Sequence, residues 1–302
     1  MIVPFLYFLY YFGMEYKTCI LLNAGTKTRK AFVEGLGETR LKRYQTPRLA
    51  LHITSEGAPL FLHRNKAIDW NGACVYTRLC GTDEQFCGIL YDYFLHKNIP
   101  ANDPIHSSYT HSAEKISQML KLALNGIPIP ESFIVREESF AKNLAYIESH
   151  TTFPLIYKTD GRQGEQVFYV ESREELQNHI EKKRASELAL IQPFIENTFD
   201  TRTIVAFGEI LGTIKRTRTH GYLNNVSQGA TAERYELTDS EKLIALNAAS
   251  VCGIDVAGVD MIHTGNGPVV LEVNKSPQVH GFESVYDFKV FSRVASIMMR
   301  KV

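Results

Sequence analysis

The chain reads as a small α/β lobe followed by a larger α+β body, and three observations predict this. Short apolar strands and one helical period share the stretch up to about residue 108. The run Asn98-Ile99-Pro100-Ala101-Asn102-Asp103-Pro104 carries two prolines and reads as a connector. Beyond residue 153, β-branched strands come in pairs, separated by helix-capping signatures.

Composition bounds the class. A chain of 302 residues can bury about three quarters of its unfolded surface, enough for two or three lobes with real cores. Apolar residues at 44% and charged residues at 22% exclude a disordered chain. With 33 basic against 33 acidic residues there is no net field to steer nucleic acid, so none is expected as a partner. The cysteines Cys19, Cys74, Cys80, Cys87 and Cys252 are odd in number and lack Cys-x-x-Cys zinc spacing, which fits a reduced, cytoplasmic setting. Residues 1–13 form an apolar, aromatic extension without the basic start or cleavage site of a signal peptide. About a dozen apolar residues fall short of the roughly 20 a membrane-spanning helix needs, so stable membrane insertion is not expected. Met14 is an alternative start, because ordinary soluble sequence follows it.

In chain order, strands are expected at 19–22, 49–53 and 73–76 and a helix at 85–96. Ser112 then caps a helix over about 113–125, with Ile116, Met119, Leu120 and Ala123 on one face and Gly126 as terminator. Strands at 153–159 and 166–171 flank a glycine loop, and Ser172-Arg173-Glu174-Glu175 fits a capping box that opens a helix. Strands follow at 189–194, 201–207 and 210–216. Thr238-Asp239-Ser240-Glu241 is a second capping box, opening a helix that stops at Gly253. The last helix, about 285–300, places Phe288, Phe291, Ala295 and Met298 on one face.

The segment most charged with chemistry lies near the C-terminus. Strands 256–262 and 269–274 flank the turn Thr264-Gly265-Asn266-Gly267, with Lys275-Ser276-Pro277 just beyond. Alternation puts Glu272 and Asn274 on one face. A three-residue loop with Gly267 in the left-handed bulge position would set Asp260 opposite Glu272, and three oxygen ligands would converge. A two-residue Asn-Gly loop would oppose Asp260 to Val273 instead. Paired carboxylates repel unless a cation separates them, and hard oxygen donors suit magnesium or manganese bound with phosphates. The competing reading is a solvated acidic hairpin.

Other groups suit a nucleotide. Gly161-Arg162-Gln163-Gly164 joins two strands, unlike a Walker loop, and its glycines let backbone N–H groups approach phosphate. Lys158 interrupts the apolar run Leu155-Ile156-Tyr157, either to reach that phosphate or to face solvent. Lys115 sits in the first turn of its helix, where the macrodipole disfavours a cation by roughly 0.3 to 1 kcal/mol unless an anion is bound. Arg202, Arg216 and Arg218 lie on successive strands, where they form either a clamp for phosphate or carboxylate or a solvated basic face. Gln192-Pro193-Phe194-Ile195 ends a strand, suited to gripping a flat base or simply to closing a core edge. His280 reads as a bystander.

Taken in order, Lys115, Lys158 with its glycine loop, the Gln192 strand end, Asp200-Thr201-Arg202, Asn225, and Asp260 with Glu272-Val273-Asn274 form a layout that resembles the ATP-grasp superfamily, and within it the RimK-type, ribosomal-protein S6 glutamate ligase-like enzymes. The likeness is closest over Val256-Ala257-Gly258-Val259-Asp260 and Leu271-Glu272-Val273-Asn274-Lys275-Ser276-Pro277. The resemblance implies two α+β subdomains sandwiching ATP, 109–191 and 192–302, after a pre-ATP-grasp α/β lobe at 14–108. It implies phosphate contacts from Lys115 and Lys158, closure by Gly161 to Gly164, and an adenine pocket lined by Gln192, Pro193, Phe194 and Ile195. It places Asp200 at the ribose, Asn225 in the large loop, magnesium on Asp260, Glu272 and Asn274, and catalytic cations at Arg216 and Arg202.

The implied reaction is ATP-dependent ligation of a carboxylate to an amine through an acyl phosphate, adding an amino acid to a peptide, protein or small amino-acid acceptor. Two alternatives stand beside it: a ligase that crosslinks side chains of a ribosomally made peptide, and a non-catalytic ATP-binding regulator. Two positions depart from the family pattern, Leu223 where relatives carry arginine and Gln278 where they carry glycine. Family members often form homo-oligomers.

Overall fold

In the computed structural model, three sheets, seven α-helices and a short 3-10 helix (Thr46–Arg48) are laid out over the described residues, which are 17–24, 26, 29–30, 33, 38, 41–77, 84–101, 115–159, 167–182, 188–218, 231–275 and 277–301. The first sheet is parallel, in the order β2 (Leu41–Tyr44), β1 (Thr18–Leu22), β6 (Ala73–Thr77). Alternation along β1 sends Ile20 and Leu22 into the central core and Cys19 and Leu21 to the opposite face. Helix α1 (Glu84–His96) packs Phe86, Leu90 and Phe94 into that same core.

The second sheet has seven antiparallel strands and draws on both halves of the chain. Its order is β5 (Lys66–Ala67), β4 (Pro59–His63), β3 (Ala50–Ile53), β7 (Ser132–Val135), β10 (Ala189–Pro193), β8 (Leu155–Thr159), β9 (Val167–Val170). Leu51 pairs with Ile134, so hydrogen bonding runs across residue 108 from the N-terminal strands to those beyond the connector. Hydrogen bonding likewise runs through β10 on either side of residue 191. One face of this sheet is covered by α3 (Glu137–Ser149) and α4 (Arg173–Glu181), through Phe140, Ile147, Leu176 and Ile180. The other face gives Leu51, Phe61, Ile134 and Leu190 to the central core, together with Ile116, Met119 and Leu120 of α2 (Lys115–Leu124). Each such fully buried side chain contributes about 1.5–3 kcal/mol.

The third sheet, order β13 (Thr231–Arg234), β12 (Glu209–Thr217), β11 (Phe199–Ala206), β14 (Val256–Thr264), β15 (Gly267–Asn274), is antiparallel throughout. One face packs Val205, Val259 and Met261 with Ala245, Ala248 and Ala249 of α5 (Asp239–Val251). That helix opens on the expected capping box: Glu241 N–H donates to Thr238 Oγ1 and Thr238 N–H to Glu241 Oε2. The second face is divided. At one end Ile204, Ala206 and Ile214 lie under Phe282 of α6 (His280–Glu283) and Val290, Val294 and Ile297 of α7 (Val290–Lys301). At the other end it carries charge.

The C-terminal helix differs from expectation. It begins at Val290 rather than near 285, and it buries Val290, Val294 and Ile297 while Phe291 is 60% exposed. Phe288 precedes the helix and packs with Phe282 and Tyr286. The predicted apolar face assumed that Phe288 and Phe291 shared a helix, and the later start rotates the stripe by one residue.

Candidate active site

The charged end of the third sheet is assembled by register. β11 pairs Asp200 with Arg216 on β12 and Arg202 with Asp260 on β14, and β14 pairs Asp260 with Glu272 on β15. Directly opposite residues share a face, so side chains from four strands meet. The Arg202 guanidinium donates from Nε to Asp260 Oδ1 at 2.7 Å and from Nη2 to Asp260 Oδ2 at 2.6 Å. Arg216 makes the same fork on Asp200, at 2.6 and 2.7 Å, and its Nη2 also reaches Asp260 Oδ2 at 3.0 Å. Arg202 Nη2 lies 3.9 Å from Glu272 Oε1, to which Asn274 Nδ2 donates at 2.7 Å.

Asp200, Arg216 and Asp260 are buried. Burial alone raises a carboxyl pKa, because it removes water from the charged form. It pushes Asp200 up to about 6 even beside Arg216. At Asp260 burial is outweighed by Arg202 and Arg216, whose two positive charges hold the carboxyl below the usual carboxylate range. Bidentate forks of this kind are strong and directional, and they fix the carboxylate planes.

The hairpin reaches the expected opposition by another route. Thr264 pairs with Gly267, so the loop is the two residues Gly265-Asn266 rather than three. The missing residue is supplied by a bulge: Met261 pairs with Val270 and Asp260 with Glu272, leaving Leu271 as the extra residue. The bulge also breaks strict alternation, so that Val270 and Val273 both enter the core while Glu272 turns to the charged face. Downstream, Pro277 packs on Gly258, where an added Cβ would lie 2.7 Å from the proline Cβ.

A second cluster lies on the seven-stranded sheet. Lys158 Nζ donates to Gln192 Oε1 at 2.9 Å, and Gln192 Nε2 donates to Ser132 Oγ at 2.8 Å. The Phe194 backbone closes onto Pro154 O, and its ring meets Tyr169 edge-on at 4.9 Å. Pro193 and Ile195 are half-buried beside it. Helix α2 connects the clusters through consecutive residues: Met119 Sδ lies 3.9 Å from Gln192 Nε2, and Gln118 hydrogen-bonds the Val273 backbone. Gln118 carries no motif, and a lone glutamine inside an amphipathic helix gives no signal in the sequence.

The structure therefore gathers Asp200, Arg202, Arg216, Asp260, Glu272 and Asn274 in one network and Lys158 with Gln192 in another. Lys115 is the first residue of α2. Gly161, Arg162, Gln163, Gly164, Leu223 and Asn225 lie outside the described residues. His280 is exposed at the start of α6, and Gln278 is exposed as well. Among the described residues no group of three or more His, Cys, Asp or Glu side chains is placed to hold a metal ion, so a cation here would rely on two carboxylates and the Asn274 amide.

Comparison with known proteins decides the family. Residues 112–298, more than half of the chain, match the model of the RimK-like ATP-grasp domain. The chain belongs to the RimK-like ATP-grasp family. Among curated RimK-like relatives, a probable alpha-L-glutamate ligase of Serratia proteamaculans is 30% identical over 244 residues, covering 78% of this chain and 79% of that one. A protein of the same description from Maridesulfovibrio salexigens is 27% identical over 248 residues, covering 80% and 81%. Among solved structures, D-cycloserine synthetase DcsG superposes with a TM-score of 0.53 at 13% identity, covering 94% of this chain and 99% of that one. The ATP-grasp ligase PsnB, complexed with a minimal precursor, Mg and ADP, gives 0.50 at 17%, covering 95% and 98%. At those identities the structures speak for the ATP-grasp fold. The chain is an ATP-grasp carboxylate–amine ligase, and no helix among its described residues is long and apolar enough to cross a membrane.

Proposed function

We propose that the chain uses ATP and magnesium to activate a carboxylate as an acyl phosphate and passes the acyl group to an amine, attaching an amino acid to an amino-acid, peptide or protein acceptor. The observation that carries this reading is the opposition of Asp260 and Glu272 on one sheet face, with Asn274 beside them and two guanidiniums bonded to Asp260. The donor set fits magnesium. Its donors are hard oxygens: the carboxylates of Asp260 and Glu272, opposite each other, and the side-chain carbonyl of Asn274 beside them. Asp260, Glu272 and Asn274 would hold the ion, which when bound neutralises phosphate charge and orients the phosphates.

The chain's own residues position and neutralise. A carboxylate oxygen of the acid attacks the γ-phosphorus, the bond to the β–γ bridging oxygen breaks, and ADP leaves. The amine then attacks the acyl carbon, the acyl–oxygen bond to phosphate breaks, and the amine loses a proton as the amide forms. Arg202 keeps its Nη1 group outside the bonds to Asp260, for oxygens that gain charge in these steps, and the buried Arg216 would add its positive charge beside them. Lys158, held by Gln192, would meet phosphate with Lys115, and the 193–195 strand end would bear on the base. Relatives described as glutamate ligases support an amino acid as one substrate.

The test is magnesium-dependent ADP release by the purified protein against pooled amino acids and short peptides, with Glu272→Ala as control. Release stimulated by one pool and lost in the control supports the ligase. Nucleotide binding without release from any pool would favour either a macromolecular acceptor outside the pools or the regulatory alternative.

A further inference from the structure

Among the described residues β15 pairs with β14 alone, and along its outer edge side-chain and loop groups take the place of another strand. Pro128 O accepts from Val270 N–H at 2.8 Å. At Val273 both backbone groups are met by one side chain: Gln118 Nε2 donates to Val273 O at 3.0 Å, and Val273 N–H donates to Gln118 Oε1 at 3.2 Å. The primary amide thus mimics the peptide of a neighbouring strand. Gln118 is 0% exposed, so neither bond competes with water, and losing either would strand a buried backbone group.

The place of this clamp matters more than its strength. Val273 lies between Glu272 and Asn274, whose side chains both turn to the charged face. The next residue of α2, Met119, touches Gln192, the partner of Lys158. The clamp therefore ties the acidic strand to the helix that also touches the Lys158 cluster. We propose that Gln118 is a positioning residue that holds Glu272 and Asn274 in their metal-binding geometry by gripping the Val273 peptide from α2. This rests on the magnesium reading of Asp260, Glu272 and Asn274. Outer contacts that orient metal ligands commonly govern metal affinity by 10- to 100-fold when removed.

The experiment titrates magnesium into the full chain with fluorescent mant-ADP, and compares mant-ADP affinity in EDTA. Gln118→Leu removes both bonds at similar volume. Gln118→Glu, unprotonated, keeps the acceptor and loses the donor. Leu122→Val, a buried change on the same helix, controls for loosened packing. The expected result is a half-saturating magnesium concentration raised at least tenfold in Gln118→Leu and several-fold in Gln118→Glu. Affinity in EDTA should stay within twofold of wild type, and Leu122→Val should match wild type in both. Half-saturation within twofold of wild type in the Gln118 variants would overturn the proposal, and Gln118→Glu alone decides if Gln118→Leu does not fold. Equal shifts in Leu122→Val would also overturn it, since loosening would then suffice. A wild-type chain whose mant-ADP binding ignores magnesium would remove the metal reading, and this inference with it.

Discussion

Asp260 stands opposite Glu272 because one extra residue, Leu271, bulges out of β15 between them and the loop. Continued without the bulge, the pairing of Thr264 with Gly267 would set Asp260 against Leu271 and Glu272 against the core residue Val259. A one-residue slip in a hairpin moves every later side chain to the other face, so the bulge decides whether two carboxylates meet at all.

Arg216 is the buried cation between Asp200 and Asp260. Replacing it with methionine leaves Asp200 without its bidentate partner, and breaking a buried pair from one side costs about 3–5 kcal/mol. Urea denaturation of Arg216→Met should show a loss of that size, partly recovered in the double variant with Asp200→Asn. A loss below about 1 kcal/mol would contradict the buried pairing.

Gly258 has no room for a side chain, with Pro277 Cβ 2.7 Å from the position of an added Cβ. It pairs with Asn274, so Gly258→Ala should push the segment leading out of the acidic hairpin. Overpacking of this kind costs about 1–3 kcal/mol. Thermal melts should show that destabilisation, and magnesium-dependent nucleotide binding should weaken with it.

Cys19 and Cys74 face each other in register on parallel strands. A hydrogen bond from the Cys19 thiol stabilises the Cys74 thiolate and lowers its pKa to about 7. Alkylation of Cys74 by iodoacetamide, followed by mass spectrometry, should rise with pH through about 7. In Cys19→Ala the rise should move toward the ordinary thiol value of about 8.5.

His52 is buried, stacked on Phe133 at 4.1 Å, with Nε2 2.6 Å from Glu131 Oε1. Burial lowers its pKa from the ordinary value of about 6.5, and this outweighs the opposing pull of Glu131. The unfolded chain therefore binds this proton more readily, so the stability contributed here is complete above about pH 6.5 and is lost as pH falls through the lower folded value. Denaturation midpoints should drop more steeply between pH 7 and 5 in wild type than in His52→Gln.

Local signals in the sequence identified most elements of the second half. The Thr238 and Glu241 capping box, Gly126 after α2 with φ +69°, and the β-branched runs of β11, β12 and β14 depend on neighbours a few residues away. β2 and β13 are not legible, because Leu41–Tyr44 and Thr231–Arg234 are mostly polar or charged and owe their state to the partners beside them, while β4, β7 and helix α3 are not expected although their runs are as apolar as those that are. The apolar face of the last helix was misread for a related reason, since its start depends on Glu283 accepting the Val290 N–H.

Residue types and their periodicity set out the chemistry on offer: carboxylates, an amide and arginines on neighbouring strands, with alternation enough to put Glu272 beside Asn274 and Arg216 beside Arg218. Which of these groups meet is set by packing across the sheets. Asp200 with Arg216, Asp260 with Glu272 through the Leu271 bulge, and Gln118 with Val273 are pairings between residues from 12 to 155 apart. Secondary structure is written in neighbours along the chain, but register, bulge and helix placement follow from burying both faces of three sheets at once, a condition no local stretch of sequence contains.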